Sequence, residues 1–295
     1  NQITGDTTVF NQNNTELFSN FIFALLEDNN GDIFVGTSYG LAKFDGNNTT
    51  GWTLFRTTNS DLPTNYVFSL LKSSSGDIFV GTSNGLGKFD GVSSTGWTIF
   101  DTSNSDLPNG GIRSLLESSS GHIFAGTWGG PLVKFDGVSH TGWTIFDASN
   151  SDFPSINSWG LLESSNGKIF AATLEGGLAK FDGVSSTGWT IFNTSNSGLP
   201  DNYVYCLLES SEGEIFTGTR KGLSKFSGTA NSNWTTFNVE NSGLVNDYVY
   251  TLLETSNGEI FIGTSGGLSV LSSNDPITTV SVSYTHLTLP TSNDV

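Results

Sequence analysis

The chain has 295 residues, with 28 Asp plus Glu against 11 Lys plus Arg and a formal net charge of −17. That balance argues against a nucleic-acid partner, because phosphates must be met by clustered Lys and Arg, and it disfavours anionic membrane surfaces for the same reason. The lone Cys206 makes no internal disulfide, no Cys and His set has zinc-ligand spacing, and no apolar run reaches the roughly eighteen residues that span a bilayer.

The fold must therefore rest on packing, and no cofactor or metal is implied. Hydrophobic residues make up 35% of the chain, and its 36 glycines exceed the usual roughly 7%, a mixture that suits many short strands and turns. Asn1 opens neither a signal peptide nor a Met start, so the chain reads as a mature form or a fragment whose targeting segment lies upstream.

In chain order, TTVF (Thr7 to Phe10) comes first and a unit of about 45 residues then repeats. Each unit gives an apolar run such as VFSLLK (Val67 to Lys72), a polar turn, a second run, a glycine turn, a short LGKFDG, a linker and WTIF. The second run is marked by GDIFVGT or a close variant beginning at Gly31, Gly76, Gly121, Gly167, Gly213 and Gly258. Trp52, Trp97, Trp143, Trp189 and Trp234 open the last run at spacings of 45, 46, 46 and 45.

The apolar runs are short, rich in Phe, Ile and Val, and bounded by Gly, Ser and Asn, which predicts strands rather than helices. The second run is almost continuously apolar, which predicts cover on both faces. Four-stranded units of this length that bury both faces against their neighbours describe an all-β fold, a β-propeller with six blades visible. Only five units carry their own fourth strand. Thr7 to Phe10 is therefore expected to pair as the outer strand of the sixth unit and close the ring; Ile277 to Val280 is the alternative, and a truncated chain would be seven-bladed. Residues 1–273 are assigned to the propeller and 274–281 to the start of a linker or next domain.

Val282 to Thr291, VSYTHLTLPT, shares no feature of the repeat and resembles one reading frame of the transposon-end adapter used in shotgun sequencing libraries. Residues 282–295 are expected to be adapter-derived, with natural sequence stopping near Ser281 and originating from metagenomic reads.

The units, reading GxIFxGTxxGLxKFDG, then WTxF, then SxLPxNxVxxLLE, resemble the two-component regulator propeller repeat. The chain departs from that pattern where Phe34, Phe79, Phe124, Phe170, Phe216 and Phe261 replace the family's usual Trp, and where KFDG decays to KFSG at Lys225 and SVLS at Ser269. The resemblance implies a sensor half of a bacterial hybrid histidine kinase that responds to glycans, usually built of paired seven-bladed rings, or a secreted surface protein. It thereby implies a periplasmic or extracellular location and a downstream signalling or anchoring domain.

Residues that recur at one repeat position are read as structural. Glu27, Glu117, Glu163, Glu209 and Glu254 form one such set, with Lys72 standing in once, and Asp45, Asp90, Asp136 and Asp182 another. The latter suit Asp-Gly turns. Each recurrent Trp is expected to pack against the next blade, burying roughly 150–250 Å². His122 and His140 are read as surface substitutions at slots held by Asp or Ser/Thr elsewhere, and DNNGD (Asp28 to Asp32) as a hairpin turn rather than a calcium loop.

Function is sought where repeats disagree, on the face shared by the start of the first strand and the loop between second and third strands. Those positions give Arg113, Trp128, Asn157, Trp159, Glu175, Tyr203, Arg220 and Tyr248. Flat rings beside planar hydrogen-bonding groups suit a glycan or a peptide segment. The leading expectation is a non-catalytic ligand-binding or sensing module. Its rivals are a carbohydrate-active lyase or hydrolase using Glu175 assisted by Arg113 or Tyr203, and a structural spacer.

Overall fold

The computed structural model describes residues 9–13, 15–17, 19–46, 51–108, 110–154, 157–183, 188–228 and 233–272, with the backbone of 278–280. Among these, six antiparallel four-stranded sheets follow one another in chain order. Blade one comprises β1 (Ile22–Glu27), β2 (Ile33–Thr37), β3 (Gly40–Phe44) and β4 (Trp52–Phe55). Blade two comprises β5 (Val67–Lys72), β6 (Ile78–Thr82), β7 (Gly85–Phe89) and β8 (Thr98–Phe100). Blade three has β9 (Ile112–Glu117), β10 (Ile123–Thr127), β11 (Leu132–Phe135) and β12 (Thr144–Phe146). Blade four has β13 (Ser158–Glu163), β14 (Ile169–Thr173), β15 (Gly177–Phe181) and β16 (Trp189–Phe192). Blade five has β17 (Val204–Glu209), β18 (Ile215–Thr219), β19 (Gly222–Phe226) and β20 (Thr235–Phe237). Blade six has β21 (Val249–Glu254), β22 (Ile260–Thr264), β23 (Gly267–Leu271) and β24 (Thr278–Val280).

First strands touch first strands, from β1 through β5, β9, β13 and β17 to β21, so they line the axis. The second strands are buried on both faces, as their apolar continuity predicts: IFVGT of β6 is buried at every residue. The core is a series of inter-blade clusters, such as Phe34, Leu41 and Phe55 of blade one against Val67, Ile78, Val80, Phe89 and Trp97 of blade two. Close approach of the next blade dictates the glycine near the end of the second strand, as Gly81 illustrates. A Cβ on Gly81 would lie 2.8 Å from the Ile112 carbonyl oxygen of the next blade and closer still to Ser69 Oγ across the ladder. Blade four solves the same crowding in reverse, pairing Gly160 in β13 with Ala172 in β14.

The recurrent carboxylates tie blades together. Glu117 accepts from the Ser74 N–H and Oγ of the preceding blade at 2.6 and 2.7 Å. Glu163 grips Ser119, Glu209 grips Ser165 and Glu254 grips Ser211 in the same way. Where Lys72 replaces the acid, the facing turn carries Asn29 instead of Ser, and Lys72 Nζ donates to the Glu27 carbonyl. Asp90 and Asp136 accept from the two residues after their glycines, and Asp28 accepts from the backbone of Asn30 and Asp32 inside its hairpin turn.

The tryptophan expectation needs one correction: the packing runs backward. Trp97 stacks on Phe89 of its own blade with centroids 4.0 Å apart and meets Phe55 of the preceding blade at 5.9 Å. Trp143, Trp189 and Trp234 likewise meet Phe100, Phe146 and Phe192 of the blade before them.

Ring closure by Thr7 to Phe10 is overturned. The outer strand of blade six is β24, paired to β23 through Leu268↔Val280 and Val270↔Thr278. The alternative, Ile277 to Val280, is thus the one adopted in its strand residues, and blade strands run past the boundary set at residue 273. Loop closure favours it, because β24 joins β23 through a short connection whereas the N-terminal segment lies at the far end of the chain. Thr7 and Thr8 lie outside the described residues, and Val9 and Phe10 are in no strand. Phe10 instead packs on blade one, 5.1 Å from Phe44 and 5.7 Å from Trp52. Those spacings match Phe55 to Phe89 and Trp97, at 5.5 and 5.9 Å, so Phe10 takes the place of a preceding blade's outer-strand Phe.

Among the described residues β21 and β1 form no junction like the other five. Leu25 of β1 and Leu253 of β21 are 68% and 63% exposed, although their equivalents in the other blades pack into inter-blade clusters. Among the described residues the array is open between blades six and one.

Candidate functional site

Each first strand carries a β-bulge near its start. The pairing skips Phe23, Phe68, Arg113, Trp159, Tyr205 and Tyr250, one residue per blade. A bulged residue is released from the ladder and its side chain is re-aimed. Here the released side chains meet one another around the axis. Phe23 touches Phe68 at 5.4 Å, the Arg113 guanidinium lies 4.3 Å from the Phe68 ring and 4.7 Å from that of Trp159, Trp159 meets Tyr205 at 5.8 Å, and Tyr205 meets Tyr250 at 5.2 Å.

A second tier forms directly above. In every blade the first residue after the second strand donates its N–H to the carbonyl two positions before the bulged residue, from Ser38 to Phe21 through Ser265 to Tyr248. Trp128 donates to Gly111 at 2.7 Å and Arg220 to Tyr203 at 3.3 Å. Strand starts and second-to-third-strand loops therefore share one mouth, and the residues chosen for irregularity lie on it.

They fall into two clusters. In the first, Trp128 reaches over the mouth with 49% of its surface exposed, and its ring lies 4.3 Å from the Arg113 guanidinium. Asn157 Oδ1 accepts from the Gly129 N–H and holds the Trp128 loop down. Arg113 is thus packed by Phe68, Trp128 and Trp159, and burial lowers its pKa below the ordinary guanidinium range, though Arg stays charged at any physiological pH.

In the second, the Tyr203 hydroxyl donates to Glu175 Oε1 at 2.6 Å and the Arg220 guanidinium stacks 4.0 Å over the Tyr203 ring. Arg220 pairs with the buried Asp201 at 3.3 Å, and Lys221 approaches the same carboxylate at 3.8 Å. The hydrogen bond to Glu175 raises the Tyr203 pKa, because a phenolate there would face a carboxylate. Glu175 has φ 72°, the left-handed region that Gly129 occupies in the matching loop of blade three. A non-glycine residue there costs about 1–2 kcal/mol, strain of a kind that gathers at functional sites. Tyr248 neighbours Tyr250 at 6.5 Å on the same mouth.

Phe68, Tyr205, Tyr250 and Asp201 join the site although sequence reasoning did not select them. The first three recur as aromatics at one repeat position, so comparison of units does not single them out. Both described histidines lie elsewhere: His122 Nδ1 contacts Ser120 in a hairpin turn, and His140 Nε2 contacts the Ile99 carbonyl beside Phe100. His286 lies outside the described residues. A cavity of about 750 Å³ lies remote from the mouth, between the hairpin turns of blades five and six, where Glu214, Lys225 and Glu254 line it. The same cleft recurs at about 210 Å³ between blades two and three, which marks it as inter-blade geometry.

Sheets stacked around an axis, with their loops gathered at one mouth, define a β-propeller. The family model Two component regulator propeller matches residues 16–39, 198–221 and 243–266. No curated protein matches the sequence. The extracellular domain of the hybrid two component system BT3049 from B. thetaiotaomicron is similar in structure, with a TM-score of 0.73 and 23% identity over 88% of this chain. This chain spans 34% of that one, about a third of its length. Virginiamycin B lyase from Staphylococcus aureus is also similar, with a TM-score of 0.69 and 11% identity over 91% of this chain and 87% of that one. At these identities the likeness is one of fold.

Proposed function

We propose that the chain is a non-catalytic sensing module, periplasmic or extracellular, whose propeller mouth binds a glycan or peptide. The observation that carries this reading is where large exposed rings collect. Tyr39, Tyr66, Trp128, Tyr248 and Tyr250, with Phe21 and Phe23, are exposed at the mouth, while the Phe and Trp side chains of the second, third and fourth strands are buried or half-buried. Exposed apolar side chains gathered on one face mark binding sites. Arg113, Asn157, Glu175, Tyr203 and Arg220 supply polar groups at its edge. The resemblance to the extracellular domain of the BT3049 two component system supports the sensing role and the location.

Binding of wild type and of the Trp128→Ala, Trp159→Ala double variant to glycan and peptide arrays tests the reading. Loss of binding in the variant is expected. Unchanged binding removes the site, and release of product from a polysaccharide favours the lyase or hydrolase reading built on the Glu175 and Tyr203 pair.

A further inference from the structure

Arg113 is the one bulged residue of the six that is not aromatic. Phe, Trp or Tyr at this position suffices to pack the axis in the other blades, so packing alone does not call for a cation. Rings surround the guanidinium on three sides, at 4.3, 4.3 and 4.7 Å. Its Nε is sealed from solvent and meets no acceptor, and Nη1 and Nη2 are not sealed in this way. Among the described residues no carboxylate pairs with it, whereas Arg220 on the same mouth is neutralised by Asp201.

Taking a guanidinium out of water without an anion costs free energy that ring faces only partly return. The rings hold its plane fixed and leave the terminal nitrogens as a preset fork. Such a fork matches a planar carboxylate, and the charge-assisted pair is strongest where water is thinned out. The exposed face of Trp128 and the rings of Tyr66 and Tyr248 offer stacking surface for flat, weakly polar rings beside it.

We propose that Arg113 anchors the carboxylate of an acidic saccharide, a uronate, whose ring lies on the Trp128 side of the mouth. This rests on the mouth being the binding face. It also reconciles a strongly acidic protein with an anionic ligand, since one short-range contact to an unpaired guanidinium outweighs diffuse repulsion that salt screens.

The test uses uronate-containing oligosaccharides, each arrayed beside its carboxyl-reduced counterpart, against wild type and Arg113→Tyr. Tyrosine is the residue of blades five and six at this position, so the variant is expected to melt no lower than wild type. Wild type should prefer the acidic member of at least one pair by about tenfold or more, and Arg113→Tyr should abolish that preference. Equal binding of both members, lost in the Trp128→Ala, Trp159→Ala variant, would overturn the proposal while leaving the mouth as the binding face. Preference for peptides ending in a free carboxylate over every uronate would overturn the saccharide assignment. Absence of binding to any member of either array would overturn both readings.

Discussion

Trp97→Ala probes the bond between blades most directly. The indole is 7% exposed, lies flat on Phe89 at 4.0 Å with 13° between planes, and meets Phe55 of the preceding blade at 5.9 Å. Its Nε1–H donates to the Ser93 carbonyl at 2.9 Å. Truncating a buried Trp costs about 3–5 kcal/mol in transfer and cavity terms. Of this, aromatic pairing supplies about 0.5–1.5 kcal/mol and the hydrogen bond about 1 kcal/mol. Trp97→Phe should therefore lose only part of the total. Urea unfolding followed by circular dichroism reads the difference from the midpoint at unchanged slope. As a control, Trp128→Ala removes an exposed ring and should change stability by less than about 1 kcal/mol. A loss below about 1 kcal/mol for Trp97→Ala, or equal losses at the two positions, would refute the packing argument.

Gly81→Ala places a Cβ 2.8 Å from the next blade's Ile112 carbonyl and should destabilise by about 1–3 kcal/mol in urea. At Gly263 the nearest atoms to an added Cβ all belong to Thr251 of its own blade, Cγ2 at 2.5 Å and the carbonyl oxygen at 3.7 Å, so Gly263→Ala should cost clearly less; equal costs would mean that a further blade packs on β22. Glu175→Gly relieves a left-handed φ of 72° and should raise stability by about 1 kcal/mol in the same assay while weakening ligand binding; a loss of stability would show that the Tyr203 hydrogen bond outweighs the strain. Ser139 and Val138 hold the Asp136 pKa down to about 2, so its stabilising contribution is complete above the unfolded value of about 3.9 and disappears as pH falls through about 2. The melting-temperature gap between wild type and Asp136→Asn should be constant from about pH 7 to 5 and close by about pH 2; a gap that persists there would rule out the carboxylate charge as its source.

Strand runs and turns were legible because each rests on local chemistry that recurs. Phe34 and its five counterparts sit in continuously apolar runs that only two-sided burial satisfies, and Asp before Gly at Asp90 or Asp136 closes a turn with its own side chain. The irregular loops were legible for the complementary reason. Trp128, Asn157 and Arg220 stand out because the repeat supplies their expected alternatives, and the ladder geometry of any such blade puts them on the same face as Arg113 and Trp159.

Other features depend on how one blade meets another. Every unit contains the bulge, so comparison of units conceals it, and nothing in the repeat shows that an extra residue turns Phe68, Tyr205 and Tyr250 toward the axis. The stacking sense likewise has no local signature, which is why the partner of Trp97 proves to be Phe55 behind it. The sequence alone determined that this protein is a ring-like stack of β-blades with one variable mouth, because periodic burial leaves no other economical packing. Only the tertiary structure decided that Phe10 serves blade one rather than blade six and that, among the described residues, the stack is open at Leu25 and Leu253 and no carboxylate joins Arg113 among its three rings. Those outcomes turn on contacts between residues far apart in the chain, where geometry rather than pattern selects the partner.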